Sequence, residues 1–71
     1  MKTWNAFQIG QSNGAYAGHV VKFRNVKGEQ VRGVLKQSFH PQGSPNVLLT
    51  VACDQSTDVH TVASLAMVEV H

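Results

Sequence analysis

Cysteine is almost missing from this sequence, and its scarcity removes one common way of holding a small fold together. Among 71 residues Cys53 is the only cysteine, so no disulfide can close within the chain. In the apolar segment Val47–Cys53 a lone thiol reads as a small buried hydrophobe, and one unpaired cysteine fits a reducing cytoplasm. Long apolar runs are missing too: nothing approaches the ~18 residues that cross a bilayer, so no membrane partner is expected. Met1–Gln8 holds no continuous apolar stretch, which argues against a secretory leader. Positive charge is absent from Gln37 onward, where Asp54, Asp58 and Glu69 leave that part acidic.

What is present is concentrated. Lys22, Arg24, Lys27, Arg32 and Lys36 are five of the six Lys and Arg residues, opposed in that stretch only by Glu29, a formal +4. The overall net charge of +2 therefore hides a two-sided chain whose basic stretch attracts polyanions. Seventy-one residues make one domain. A chain this short buries only about 60% of its unfolded surface, so homo-oligomerisation is the expected aid to stability.

The apolar period is two from Gly18 onward. Val21 and Phe23 share one face of His19–Asn25, while Lys22 and Arg24 share the other. Val26-Lys27-Gly28 forms a three-residue hairpin loop, with Gly28 supplying the left-handed position. That loop pairs Asn25 with Glu29, which sets Phe23 opposite Val31 and Lys22 opposite Arg32. A second strand runs from Val31 through Lys36 toward Phe39, and Gly33 inside it marks a bend or a close backbone approach. His40–Asn46, which holds both prolines, is a loop. A third strand at Val47–Cys53 turns Val47, Leu49, Val51 and Cys53 inward. Asp54–Asp58 is the next turn, a fourth strand starts at Val59, Ala63–Ala66 makes one helical turn, and Met67–Val70 is the last strand. Together with Val21, Phe23, Val31 and Leu35, the expected core adds Val59, Leu65, Val68 and Val70. The expected fold is all-β: a small, five-stranded, strongly bent barrel over residues 18–71, preceded by an arm or linker at 1–17. Gly10–Gly14 is the flexible part of that arm. Trp4, Phe7 and Tyr16 flank it, and they either cap the barrel mouth or meet a partner subunit.

The order Val21-x-Phe23, Gly28, Val31-x-Gly33-x-Leu35, Phe39, Asn46 and Leu48-Leu49 is similar to the first motif of Sm-like proteins. With Leu65-x-x-Val68 it also resembles the broader SH3-like barrels. The resemblance covers about residues 20–49, and the second Sm motif is absent. It implies a barrel that assembles into rings and binds single-stranded RNA through two loops, at positions that match His40 and Asn46, then His60 and Thr61. A fainter likeness, to the small plasmid-borne dihydrofolate reductases, rests on Val59-His60-Thr61-Val62, where that family has a Val-Gln-Ile-Tyr pore stretch. Because the tyrosine is missing, a reductase built in a central pore stays a remote alternative.

No catalytic residue and no cofactor is expected. His19, His40, His60 and His71 lack the paired spacing of metal ligands. Asp54, Ser56, Asp58 and His60 crowd a turn, where Asp and Ser serve the backbone rather than a nucleophile. No glycine-rich phosphate loop precedes a helix. The leading expectation is a non-enzymatic module that binds single-stranded RNA or DNA. Lys22, Arg24, Lys27, Arg32 and Lys36 take phosphates, Phe39 or Tyr16 stacks a base, and His40 and Asn46 join them. The alternative is a protein-interaction adaptor or inhibitor that acts through Trp4, Phe7 and Tyr16.

Overall fold

Alternating apolar and polar residues make most of this chain strand, and the computed structural model gathers every strand into one sheet. It describes residues 2–12 and 14–71; Met1 and Asn13, the latter inside the expected Gly10–Gly14 linker, lie outside the described residues. In chain order the elements are β1 (Lys2–Asn5), α1 (Ala6–Gly10), β2 (Val20–Arg24), β3 (Gln30–Phe39), β4 (Asn46–Cys53), β5 (Ser56–Ala63) and β6 (Met67–Val70). All neighbours are antiparallel, in the order β1-β6-β2-β3-β4-β5. The fold is all-β apart from one short helix, and its sheet is open.

Among the described residues the strand count is six rather than the expected five. The extra strand comes from the segment read as an arm, because β1 pairs with β6 from Lys2↔Val70 to Asn5↔Met67. A capping box then starts α1: Gln8 N–H donates to Asn5 Oδ1 at 2.8 Å, and Asn5 N–H donates to Gln8 Oε1 at 3.1 Å. The helix buries Ala6 and Ile9 completely against the sheet. Trp4 and Tyr16 also pack on the chain's own core, whereas Phe7 faces outward.

The β2–β3 hairpin has the register anticipated from its turn: Phe23 faces Val31 and Lys22 faces Arg32. Gly28 is left-handed, with φ 84°. Gly33 marks a close approach, since a Cβ there would collide with the Ala52 carbonyl oxygen and stand 2.7 Å from Val51 Cγ1. The irregularity of β3 falls at Lys36 instead, where the pairing slips between Leu35↔Val51 and Gln37↔Thr50. One extra residue in one strand bends it and inverts its alternation, which turns Phe39 outward. Curling brings the hairpin tip to β5, where Val26 N–H donates to the Thr61 carbonyl at 2.9 Å.

Three residues expected in the core lie outside it: Cys53, Val59 at 61% exposure and Leu65 at 82%. The cause for Val59 is the turn before β5. Asp54 adopts a left-handed φ of 55°, and Cys53 pairs with Ser56, so only Asp54 and Gln55 separate the strands. The expected five-residue turn would have set Cys53 opposite Val59. Shortening it by an odd number presents the other set of side chains, and Val62 is buried in place of Val59. Cys53 overhangs the end of the core, and Leu65 sits in the turn closed by Ala66 N–H to the Ala63 carbonyl at 2.9 Å.

Substitutions at paired positions test this parity. Val62→Ala should lower unfolding free energy by roughly 2 kcal/mol in urea denaturation, and Val59→Ala should stay within about 0.5 kcal/mol of the parent. Gly33→Ala should destabilise by about 1–3 kcal/mol through overpacking against β4.

Candidate nucleic-acid interface

The basic face begins with the turn that aims it. Asn25 is 8% exposed, and its side-chain oxygen accepts the backbone N–H groups of Lys27 and Glu29, each at 3.0 Å. Its side-chain nitrogen donates to Glu29 Oε1 at 3.2 Å. These bonds meet most of what a buried amide requires, and they hold the tip rigid while Gly28 N–H reaches back to the Asn25 carbonyl at 3.0 Å. Arg24 Nη1 donates to the Gly28 carbonyl at 3.1 Å, which lays its guanidinium along the same turn.

On the outer face the cations fall into two rows across the strands. One row reads Thr3, Glu69, Lys22, Arg32, and in the next Arg24 lies opposite Gln30. Lys22 therefore lies between a guanidinium neighbour and a carboxylate neighbour. Opposite charges across a ladder attract and like charges repel, so Glu69 steadies a cluster that Arg32 alone would strain. Three cations and one carboxylate leave this part of the face with a formal +2.

The other cations stand apart. Lys36 is four residues beyond Arg32, about 13 Å along a strand, at the bulge. There it lines an open groove of about 440 Å³ with Gly10, Gln11, Gln37, Phe39 and His40. Phe39 is 54% exposed and points outward opposite Leu48. Lys27 sits at the hairpin tip, in a cleft it shares with Glu29, Val59 and His60. The expected basic site is thus one compact cluster of Lys22, Arg24 and Arg32, with two outlying lysines.

The loop positions carried over from the Sm-like resemblance divide in the same way. His40 Nε2 lies 3.0 Å from the Ser44 carbonyl inside the β3–β4 loop, and Asn46, the first residue of β4, is tied to that loop by its N–H, which donates to Ser44 Oγ at 3.1 Å. His60 and Thr61 are inside β5, and His60 meets the edge of Phe23 at 5.9 Å. The loop that does touch the β3–β4 loop is Ser64–Ala66, through Ser64 N–H to the Pro45 carbonyl at 3.0 Å. Phe7 approaches both, its ring 5.1 Å from His40 and its N–H donating to the Ser64 carbonyl at 3.0 Å.

Sequence reasoning missed Glu69, Gln30 and Met67, which border Lys22 and Arg24 in a shallow groove. Gln30 follows directly from the hairpin register, but Glu69 and Met67 arrive through a pairing between distant segments. Asn25 carried a readable signal, since Asn before a tight turn bonds its own backbone two residues on. Among the described residues no group of three or more His, Cys, Asp or Glu could hold a metal ion. Nor is any helix among them long and apolar enough to cross a membrane.

Comparison with known proteins finds no match to a family model, to a curated protein or to a solved structure. The arrangement of the site is therefore the ground for a functional reading.

Asn25→Ala removes three hydrogen bonds from a nearly buried position. It should destabilise the fold by about 1–3 kcal/mol in thermal and urea melts; Asn25→Asp keeps the acceptor but sets a second carboxylate against Glu29 in place of the donor, so it should destabilise too.

Proposed function

We propose that this protein is a non-enzymatic module of the cytoplasm that binds single-stranded nucleic acid on the outer face of β2 and β3. The observation that carries the reading is the direct pairing of Lys22 with Arg32, with Arg24 beside them. Like charges set opposite each other on a ladder are destabilising, and a phosphate between them removes that repulsion. Single strands suit the face because an unpaired base can stack on the exposed ring of Phe39, which a paired and stacked base in a duplex cannot do. Exposed Phe39 and Lys36 extend the track toward the β3–β4 loop, where a base would stack on the ring. The bent run β6-β2-β3-β4-β5 supports describing the fold as an SH3-like or Sm-like barrel, with β1 added at its edge.

Fluorescence anisotropy with labelled RNA and DNA oligonucleotides tests the proposal. Three phosphate contacts predict a log–log salt slope of roughly −2 for a single strand. Arg32→Glu should weaken binding at least about tenfold. Lys36→Glu should weaken binding less than Arg32→Glu, because Lys36 lies ~13 Å from the paired cations and meets only the far end of the strand. Affinity that ignores both salt and Arg32 would end the reading.

The exposed edge of β1 supports self-association as a further part of the reading; β5 ends the sheet on the other side, where the hairpin tip meets its edge at Thr61. Exposed strand edges offer unpaired backbone groups to a second copy. Sedimentation velocity should show an oligomer whose population grows with concentration. A monomer throughout the accessible range would remove this part and leave the nucleic-acid reading standing.

A further inference from the structure

Trp4 and Tyr16, the aromatic pair of the N-terminal segment, meet on the side of the sheet opposite the basic face. Trp4 pairs with Val68, which is fully buried, so its indole lies on the core side of β1. Its ring stands 5.9 Å from Tyr16 at a tilt of 42°, and Tyr16 stands 6.2 Å from His19, edge to face. Between them opens a cleft of about 290 Å³ lined by Lys2, Trp4, Tyr16, His19, Val70 and His71. That size suits a single ring system, being just below the roughly 300–1,000 Å³ of ordinary small-ligand sites.

The walls are held in place. Gly18 N–H donates to the Leu35 carbonyl at 2.7 Å and Leu35 N–H to the His19 carbonyl at 2.9 Å, which ties the Tyr16 turn to β3. His19 Nδ1 lies 3.1 Å from the His71 carbonyl, and His71 N–H donates to the Val20 carbonyl at 2.8 Å. A cleft with fixed walls binds without first having to order its own side chains.

Three properties of the lining define what fits. Trp4, Tyr16 and Val70 give flat apolar surface, on which an aromatic ring stacks. The indole N–H of Trp4 is buried away from solvent, so the cleft meets this ring through its carbon surface. Lys2 lies two residues from Trp4 on the same side of β1, exposed, and no Asp or Glu lines the cleft. We propose that this cleft binds a small planar aromatic anion: one ring system carrying a phosphate or carboxylate that pairs with Lys2. The ring stacks on Trp4 and Tyr16, and its charge stays at the mouth. The site is independent of the basic face, and it stands or falls separately from nucleic-acid binding.

The chain contains one tryptophan, so its single indole N–H resonance reports on the site without assignment ambiguity. The full chain is titrated in ¹H–¹⁵N spectra with adenosine 5′-monophosphate and, in a parallel arm, with 1-naphthoate. Adenosine and inorganic phosphate are the controls. The expected result is a saturable shift of the indole peak with at least one ring-bearing anion. Adenosine or phosphate alone should bind at least about tenfold more weakly. Saturation by the nucleotide alone assigns the anion to the nucleotide class, and saturation by the naphthoate alone assigns it to aromatic carboxylates. Lys2→Gln, at an exposed position that leaves the fold intact, should weaken the charged ligand about tenfold and leave adenosine unchanged. The proposal is overturned if neither anion moves the indole peak saturably by ~10 mM. It is equally overturned if phosphate alone reproduces the shift, or if Lys2→Gln binds the anion like the parent.

Discussion

In a sheet with one buried face, the number of residues in each turn decides which side chains meet solvent, because the side-chain period along a strand is two. Every feature proposed as functional here depends on that count. The three-residue loop Val26–Gly28 places Lys22, Arg24 and Arg32 outward together while Val21, Phe23 and Val31 go inward. A loop one residue longer or shorter would scatter the cations between two faces and leave no site. Asn25 and Gly28 enforce the count, one through side-chain bonds to the turn and the other through its positive φ. Local backbone chemistry therefore shapes the electrostatic surface.

The bulge at Lys36 applies the same rule in reverse. Before it, Val31 and Leu35 point inward; beyond it the alternation is inverted, and Ser38 turns inward to bond the Ile9 carbonyl at 3.0 Å. The inversion gives α1 a polar anchor on the sheet and sends Phe39 to the surface. Without it Phe39 would be a core residue and Ser38 a solvated one. Gly33 makes the neighbouring stretch possible, because the β4 backbone at Ala52 occupies the space a side chain would need. One glycine and one extra residue thus convert a plain strand into a bent one with two distinct outer regions.

The legible parts of the molecule are those that short-range chemistry determines. The β2–β3 register could be read because its turn residues and its alternation lie within fifteen positions and agree. The β4–β5 turn could not, because its left-handed residue is Asp54 rather than glycine. A side chain that tolerates positive φ only sometimes leaves the turn length open, and that ambiguity misplaced Val59. The N-terminal segment was harder still. Its pairing with β6 joins residues about as far apart as the chain allows, and nothing near Lys2–Asn5 announces the partner. Of the candidate site, the cluster of Lys22, Arg24 and Arg32 was visible beforehand, whereas the glutamate beside it was not.

That glutamate changes what the basic face can do. In sequence the stretch from Lys22 to Lys36 carries a formal +4, yet folding brings Glu69 next to Lys22 and carries Lys36 to the bulge. The result is a smaller field, focused on Arg24 and Arg32 and partly offset on one side. On the proposed reading a patch of this strength would steer a polyanion and orient it, but few contacts cannot supply tight binding by charge alone. High affinity then requires either apolar stacking beside the cations or several copies of the patch acting together, because linked sites multiply weak contacts without any new one. For the proposed function the exposed ring of Phe39 would offer the first, at the Lys36 end of the face, and the edge of β1 would offer the second. A weak charge cluster on a sheet with an exposed edge is therefore consistent with that proposal, in which assembly would turn a modest surface into an effective one.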